Sequence, residues 1–270
     1  MIDFRIGTSG WVYDFWVGGF YPSFTVPADY LKVYSKIFNL VEIDNSFYRF
    51  PSRQSTKQWA AETPADFVFT AKFHRRITAE KRLTDYRQDL EYLYRVFEPM
   101  GEKLRAFVIQ LPPNFTFGEG IEKLGRLISD LDSRYRYAVE FRHDSWFRDQ
   151  TYELLRASKI AMAWSEIPFA TNPGVVTTDL IYLRFIGERD IPESQLGGVK
   201  RDLLEKKSLW AKRLKDQLPS ASTAYVFFNN RFEGFGPGSV NSLRKLVGLS
   251  EIDFTKLNLG AQRTLFDFGG

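Results

Sequence analysis

Two glutamates stand inside runs that are otherwise apolar: Glu42 in Leu40-Val41-Glu42-Ile43 and Glu140 in Tyr137-Ala138-Val139-Glu140-Phe141. A carboxylate in such a place must be paired or hydrogen-bonded, because burying it alone is costly. Lys72, Arg142 and Arg184 lie in or just past similar runs and are the partners at hand. Two carboxylates facing three cations suit general acid/base chemistry, or the grip of an anionic group such as a phosphate or carboxylate. The same set would also form a closed salt-bridge network that plugs the space between the strands. Gln110-Leu111-Pro112-Pro113 ends another apolar run on a rigid turn that would fix the Gln110 amide. Phe228-Asn229-Asn230 places two more amides in the same way, with turn capping the readier reading for Asn230.

Other chemistries have less to build on. The chain has no cysteine, which removes disulfides, zinc-thiolate sites, iron–sulfur clusters and thiol nucleophiles together. Its two histidines, His74 and His143, make no pair at ligand spacing, so a zinc cluster cannot be assembled, whereas a magnesium or manganese ion on Glu42 and Glu140 stays open. No GxSxG elbow, Walker loop or GxGxxG fingerprint occurs, and no cofactor is indicated; Gly7-Thr8-Ser9-Gly10 alone is too short to signal phosphate binding.

The residues above must be positioned by eight short runs rich in β-branched and aromatic residues, alternating with helical stretches as βα units do. The runs are Phe4–Thr8, Leu40–Asp44, Phe67–Lys72, Ala106–Leu111, Tyr137–Phe141, Ile160–Ser165, Leu180–Phe185 and Ala224–Phe228. Apolar on both faces, they read as buried parallel strands. Helices are expected from Pro27 to Phe38 and over Ser55–Glu62, Tyr86–Glu98, Ile121–Leu131, Thr151–Ser158, Leu203–Leu218 and Val240–Val247, with the sixth connection, Ile167–Val176, left as loop. Every strand ends in polar residues, and eight polar ends favour a closed (β/α)8 TIM-type barrel, whose strand ends all meet at one mouth, over an open sheet. The expected organisation is one α/β barrel domain over residues 1–258 and a tail over 259–270.

At 270 residues with 44% hydrophobic and 26% charged side chains, the chain can bury a large core unaided. Lys plus Arg (37) exceed Asp plus Glu (33) by +4, which permits a nucleic-acid partner without requiring one. The opening Met1-Ile2-Asp3-Phe4-Arg5 lacks a signal-peptide pattern and no run is long enough to span a bilayer, so a cytoplasmic location is expected. Aromatics crowd Trp11-Val12-Tyr13-Asp14-Phe15-Trp16, where rings could stack on bases or sugars or could seal the barrel.

The ordered set Ile6-Gly7-Thr8-Ser9-Gly10-Trp11, Phe20-Tyr21-Pro22, Val41-Glu42-Ile43, Phe47-Tyr48-Arg49 with Pro51, Gln110-Leu111-Pro112-Pro113, Glu140-Phe141-Arg142 with Ser145-Trp146, and Phe228-Asn229-Asn230 closely resembles the YecE-like family. The resemblance runs through nearly the whole chain. It implies a TIM-type barrel and little about activity, since the family is a domain of unknown function. Its polar motif residues fall on Glu42, Tyr48, Arg49, Lys72, Gln110, Glu140, Arg142, Arg184 and Asn229. The chain departs from the family pattern at Ile186 and after Thr78, where relatives often carry histidine, so a mechanism resting on those histidines does not transfer. A likeness in kind to endonuclease IV and sugar isomerases is one of fold only.

The last residues, Gln262-Arg263-Thr264-Leu265-Phe266-Asp267-Phe268, resemble the QxxLxxF and QxxLF peptides that dock on sliding clamps, Gln262 bonding a shallow pocket and Leu265 with Phe266 or Phe268 filling an apolar one. A tail folded back on the barrel is the plain alternative. Three functions stay open on sequence. One is a hydrolase or lyase, or a former enzyme, acting on a phosphate-bearing ligand or damaged nucleic acid, with Lys72, Arg142 and Arg184 on the anion and Glu42 or Glu140 as acid/base. The second is a non-catalytic replication or repair adaptor recruited by a clamp. The third is a sugar or small-acid enzyme using Trp11, Tyr13 and Trp146 as stacking platforms.

Overall fold

Nine parallel strand segments carry the fold in the computed structural model, which describes residues 2–188 and 190–254. They are β1 (Asp3–Ser9), β2 (Leu40–Ile43), β3 (Val68–Lys72), β4 (Leu104–Gln110), β5 (Arg136–Glu140), β6 (Ala161–Met162), β7 (Trp164–Glu166), β8 (Leu180–Phe185) and β9 (Thr223–Phe228). Hydrogen bonding runs in the order β6-β5-β4-β3-β2-β1-β9-β8-β7. The two ends of that order, β6 and β7, are the halves of the sixth expected strand, separated only by Ala163. β6 pairs with β5 and β7 with β8, so the sheet returns on itself as a nearly closed TIM-type barrel.

At the break, side chains replace the ladder. The Ala163 N–H still donates to Val139 O at 2.9 Å, but the Met162 N–H donates to Thr177 Oγ1 at 2.8 Å and the Ala163 carbonyl accepts from Asn172 Nδ2 at 2.9 Å. Thr177 and Asn172 belong to the sixth connection, which contains no helix, as its prolines and glycine suggested. A buried backbone group needs a partner, and this loop supplies it.

The strands sort their side chains with a period of two. Val41, Phe69, Phe107, Val139, Leu183 and Val226 belong to the outer core, against the helices. Leu40, Val68, Val108, Ala138, Tyr182 and Phe227 form a second cluster inside the barrel. Two residues further along those same inward faces stand Glu42, Thr70, Gln110, Glu140, Arg184 and Asn229. The barrel is therefore apolar below and polar at its carboxyl-terminal end.

Around the sheet lie α1 (Tyr30–Tyr34), α2 (Arg53–Glu62), α3 (Arg87–Phe97), α4 (Phe117–Ser129), α5 (Asp149–Ala157), α6 (Leu204–Gln217), α7 (Asn230–Glu233) and α8 (Gly236–Leu246). In α3, Leu90, Leu93 and Phe97 recur on one face and are buried. Two helices begin a turn earlier than their apolar pattern indicated, and each start is held from a distance. Ser145 Oγ accepts the first amide of α4, Phe117 N–H, at 2.9 Å, and Asn230 Oδ1 accepts that of α8, Gly236 N–H, at 2.9 Å. The candidate clamp-binding residues Gln262, Leu265, Phe266 and Phe268 lie outside the described residues. No helix among the described residues is long and apolar enough to cross a membrane.

Glycine is required where β1 meets β2. A Cβ on Gly7 would stand 2.1 Å from the Leu40 carbonyl oxygen. The Tyr34 hydroxyl occupies the same junction, accepting from Thr8 N–H at 3.0 Å and donating to Leu40 O at 2.8 Å. Gly7→Ala is expected to cost about 1–3 kcal/mol through overpacking, read as a lowered Tm in a thermal melt followed by circular dichroism. A variant melting with the native chain would mean that β1 and β2 can part without cost.

Candidate functional site

Arg184 stands at the centre of the polar end of the barrel, 1% exposed, with its guanidinium between two carboxylates that are 0% exposed. Nη2 donates to Glu42 Oε1 at 2.6 Å, and Nη1 donates to Glu140 Oε2 in a close contact and to Gln110 Oε1 at 3.4 Å. Glu42 is bound further by Ser9 Oγ at 3.0 Å and by the Tyr182 hydroxyl at 2.7 Å, which in turn meets Thr70 Oγ1 at 2.9 Å. Glu140 Oε1 accepts Arg142 Nε at 2.6 Å. On the other side Lys72 Nζ lies 3.2 Å from Asp44 Oδ1 and 4.0 Å from the centre of the Phe47 ring, while Asp44 Oδ1 is 3.6 Å from Arg184 Nη2. Ser46 holds the two strand ends together, its hydroxyl lying 2.7 Å from both Ile43 O and Lys72 O.

Three carboxylates thus face three cations, and the field they make on one another sets their protonation. Burial by itself would raise the Glu140 pKa, but the charges of Arg142, Arg184 and Lys72 outweigh it and hold the group down at about 2. Asp44 is likewise pulled below its ordinary value, burial being overcome by Lys72 and Arg184. Lys72 moves down, first because burial disfavours its charge and then because Arg184 and Arg142 add to it, against the opposing pull of Asp44. A carboxyl held at about 2 is ionised at neutral pH.

Above this layer opens a cavity of about 980 Å³. Of the residues singled out in the sequence, Tyr13, Tyr48, Lys72, Gln110, Arg142, Arg184 and Asn229 line it. Glu42 and Glu140 lie beneath its floor, bonded to the cations above them. Tyr13 donates to Ser9 O at 2.6 Å, and burial together with Asp44 and Glu42 pushes its phenol upward. Arg49 is exposed and outside the lining. Trp11, 5% exposed, packs edge-on to Trp59 at 5.1 Å, and Trp146, fully buried, stacks on Phe141 at 4.7 Å. Neither ring reaches the cavity, which removes two of the three proposed stacking platforms. The histidines are likewise engaged elsewhere: His74 stacks on Phe50 at 4.1 Å, and His143 Nδ1 bonds Ser145.

Sequence reasoning missed Asp44 and Phe47 on the floor side and the acids Glu188, Asp190 and Glu193 near Gly187. Asp44 had a signal, standing two residues after Glu42 on the same inward face. The acids had none beyond their loop position. Gly187 itself is at φ +73°, where a Cβ would stand 2.5 Å from Arg231 O. Among the described residues no three His, Asp or Glu side chains gather as a metal ion would need; the carboxylates open to a divalent ion clasp Arg184.

What the site offers a ligand is a set of unused donors. Arg142 spends only Nε on Glu140, and its Nη1 and Nη2 bond nothing among the described residues, with the side chain 15% exposed. Gln110 Nε2 and Asn229 Nδ2 are also unpaired there, Asn229 using its oxygen to accept Arg231 N–H at 2.9 Å.

The model of a family described as a protein of unknown function, DUF72, matches residues 5–262. The UPF0759 protein YunF of Bacillus subtilis is 25% identical over 278 residues, 93% of this chain and 96% of its own length. The UPF0759 protein YecE of Escherichia coli K12 is 30% identical over 119 residues, 43% of each chain. A crystal structure of a DUF72 family protein of Thermotoga maritima superposes with a TM-score of 0.78 at 30% identity, over 91% of this chain and 99% of that one. Another, of Enterococcus faecalis, reaches 0.75 at 18% identity over 93% and 99%, a likeness of fold alone.

The depressed Glu140 carboxyl makes stability depend on pH. Because its folded value, about 2, lies below its ordinary 4.5, its contribution is full above 4.5 and is lost as pH falls toward 2. Glu140→Gln leaves Arg184 and Arg142 short of a counter-charge and is expected to cost about 3–5 kcal/mol at pH 7. Urea unfolding at a series of pH values should show that the variant's deficit shrinks between pH 4.5 and 2. A deficit that stays constant with pH would contradict the ion-pair account.

Proposed function

We propose, for a chain that belongs to the DUF72 family of proteins of unknown function, that the barrel mouth binds a small phosphate- or carboxylate-bearing molecule and that Arg142 grips its anionic group. The observation that carries this reading is the guanidinium of Arg142, locked by Nε on Glu140 and with its two terminal nitrogens unpaired among the described residues, at a cavity of about 980 Å³. A planar fork so held matches two oxygens of a phosphate or carboxylate, and it is oriented before the ligand arrives. Gln110 and Asn229 add amide donors beside it. Glu42 and Glu140 lie under the floor, so Arg142 and Arg184 face the ligand while their charge is balanced from behind.

In this reading Glu42 and Glu140 are positioning residues that hold Arg184 and Arg142, and no acid/base step is assigned to them. The aromatic lining, Phe15, Phe47, Tyr48 and Phe169, suits a ligand with a flat or apolar part. Glu188, Asp190 and Glu193 line the same opening and would repel a long polyanion, which favours a small ligand over nucleic acid.

Isothermal calorimetry with inorganic phosphate and phenyl phosphate tests the reading. Arg142→Ala should weaken binding at least about ten-fold, or ~1.4 kcal/mol, and Arg142→Lys should recover only part, since it restores charge without the fork. Equal affinity in the native chain and Arg142→Ala would overturn it.

A further inference from the structure

We propose that Lys72 is an amine nucleophile, and that the ligand of the mouth carries an aldehyde or ketone whose carbonyl carbon forms a Schiff base with Lys72 Nζ. This rests on the anion-binding reading above, and it names the second functional group of the same ligand.

Among the described residues two lysines are buried, and their surroundings differ in kind. Lys207, 3% exposed, is saturated: its Nζ meets Glu233 Oε1 at 2.7 Å, Ser242 Oγ at 2.7 Å and Asp202 Oδ1 at 3.6 Å, away from the mouth. Lys72, 5% exposed, has among the described residues a single hydrogen-bonding partner for Nζ, Asp44 Oδ1 at 3.2 Å, and rests on the face of Phe47 at 4.0 Å. It lines the cavity together with Arg142. A lysine that only neutralises charge gains from being saturated, as Lys207 is; one that must attack a carbonyl needs an accessible nitrogen, a place to send its proton and surroundings that disfavour its charge. Lys72 has all three. Burial and the guanidiniums of Arg184 and Arg142 act against its ammonium form more than Asp44 supports it, and the open cavity that it lines gives its proton a way to solvent.

The step balances without a co-reactant. The Lys72 ammonium gives one proton to the solvent of the cavity, and the free amine attacks the carbonyl carbon. A C–N bond forms as the carbonyl π pair moves to oxygen, and a second proton passes from nitrogen to that oxygen, giving a carbinolamine. Solvent then returns a proton to the hydroxyl, which leaves as water while the nitrogen lone pair closes the C=N bond. Ammonium and carbonyl have become iminium and one water, and Asp44, a carboxylate throughout, stands beside the iminium charge. Arg142 holds the anionic end meanwhile, so the carbonyl is presented to a fixed amine.

Borohydride trapping on the full chain tests the proposal, with pyridoxal 5′-phosphate as an aldehyde that carries an anion and pyridoxal as the same aldehyde without it. Reduction fixes any imine as a secondary amine, and peptide mass mapping locates it. At limiting reagent, Lys72 should be labelled at least ten-fold more than the exposed Lys32, and pyridoxal 5′-phosphate should label it at least ten-fold faster than pyridoxal. Arg142→Ala should abolish that second difference. Lys72→Arg, checked for an unchanged melt, should lose the adduct at this peptide and no other. Labelling of Lys72 no faster than Lys32 with both aldehydes overturns the nucleophile, even if phosphate still binds. Fast labelling of Lys72 that is equal for the two aldehydes supports the amine and overturns the anion grip.

Discussion

The mouth of this barrel depends on one buried cation. A guanidinium removed from water costs several kcal/mol unless opposite charge and hydrogen bonds compensate, and Arg184 receives both, from Glu42 on one side and Glu140 on the other. Those two carboxylates then need partners for their remaining oxygens, which brings in Ser9 and Tyr182 around Glu42 and Arg142 on Glu140. Each added group is thus called for by the one beneath it. The network spreads outward until it reaches the cavity, where the last donors of Arg142 have no partner among the described residues.

This ordering explains why a site dense in charge can still be selective. Glu42 and Glu140 are consumed inside, so they fix the directions of the arginines and do not compete for the ligand. Two kinds of positive group then face the cavity: a flat fork on Arg142, suited to paired oxygens, and a compact amine on Lys72, backed by Asp44 and Phe47. Tyr182 joins the polar layer to the apolar one below it, its ring packing with Phe227 while its hydroxyl reaches Glu42. The site is therefore built on strands and on a packed interior, where side chains have little freedom to move.

Most of the framework is legible in the sequence because it is local. The runs around Glu42, Lys72, Gln110, Glu140 and Arg184 announce strands by composition, and their polar ends announce a shared mouth. The inward face can also be read by counting in twos, from Leu40 to Glu42 to Asp44 or from Val68 to Thr70 to Lys72, a count that would have found Asp44. The aromatic residues are less readable. Trp11 and Tyr13 stand two apart in one loop, yet the first is sealed against Trp59 and the second reaches the cavity. Nothing in residue type separates them, because burial depends on what packs against each ring.

The sequence by itself determined the eight strand positions, the helices between them and the polar character of the strand ends, since period and propensity act over a few neighbouring residues. The tertiary structure decided which charges meet. Arg184 finds Glu42 142 positions away and Glu140 44 positions away, and α4 starts where a serine 28 residues further on accepts its first amide. It also decided that the sixth strand breaks at Ala163, so that its halves can serve opposite neighbours and bring the barrel close to closure. Ion pairs and hydrogen bonds act only across a few ångströms, and which groups come that near is a property of the closed barrel and not of the order of residues along the chain.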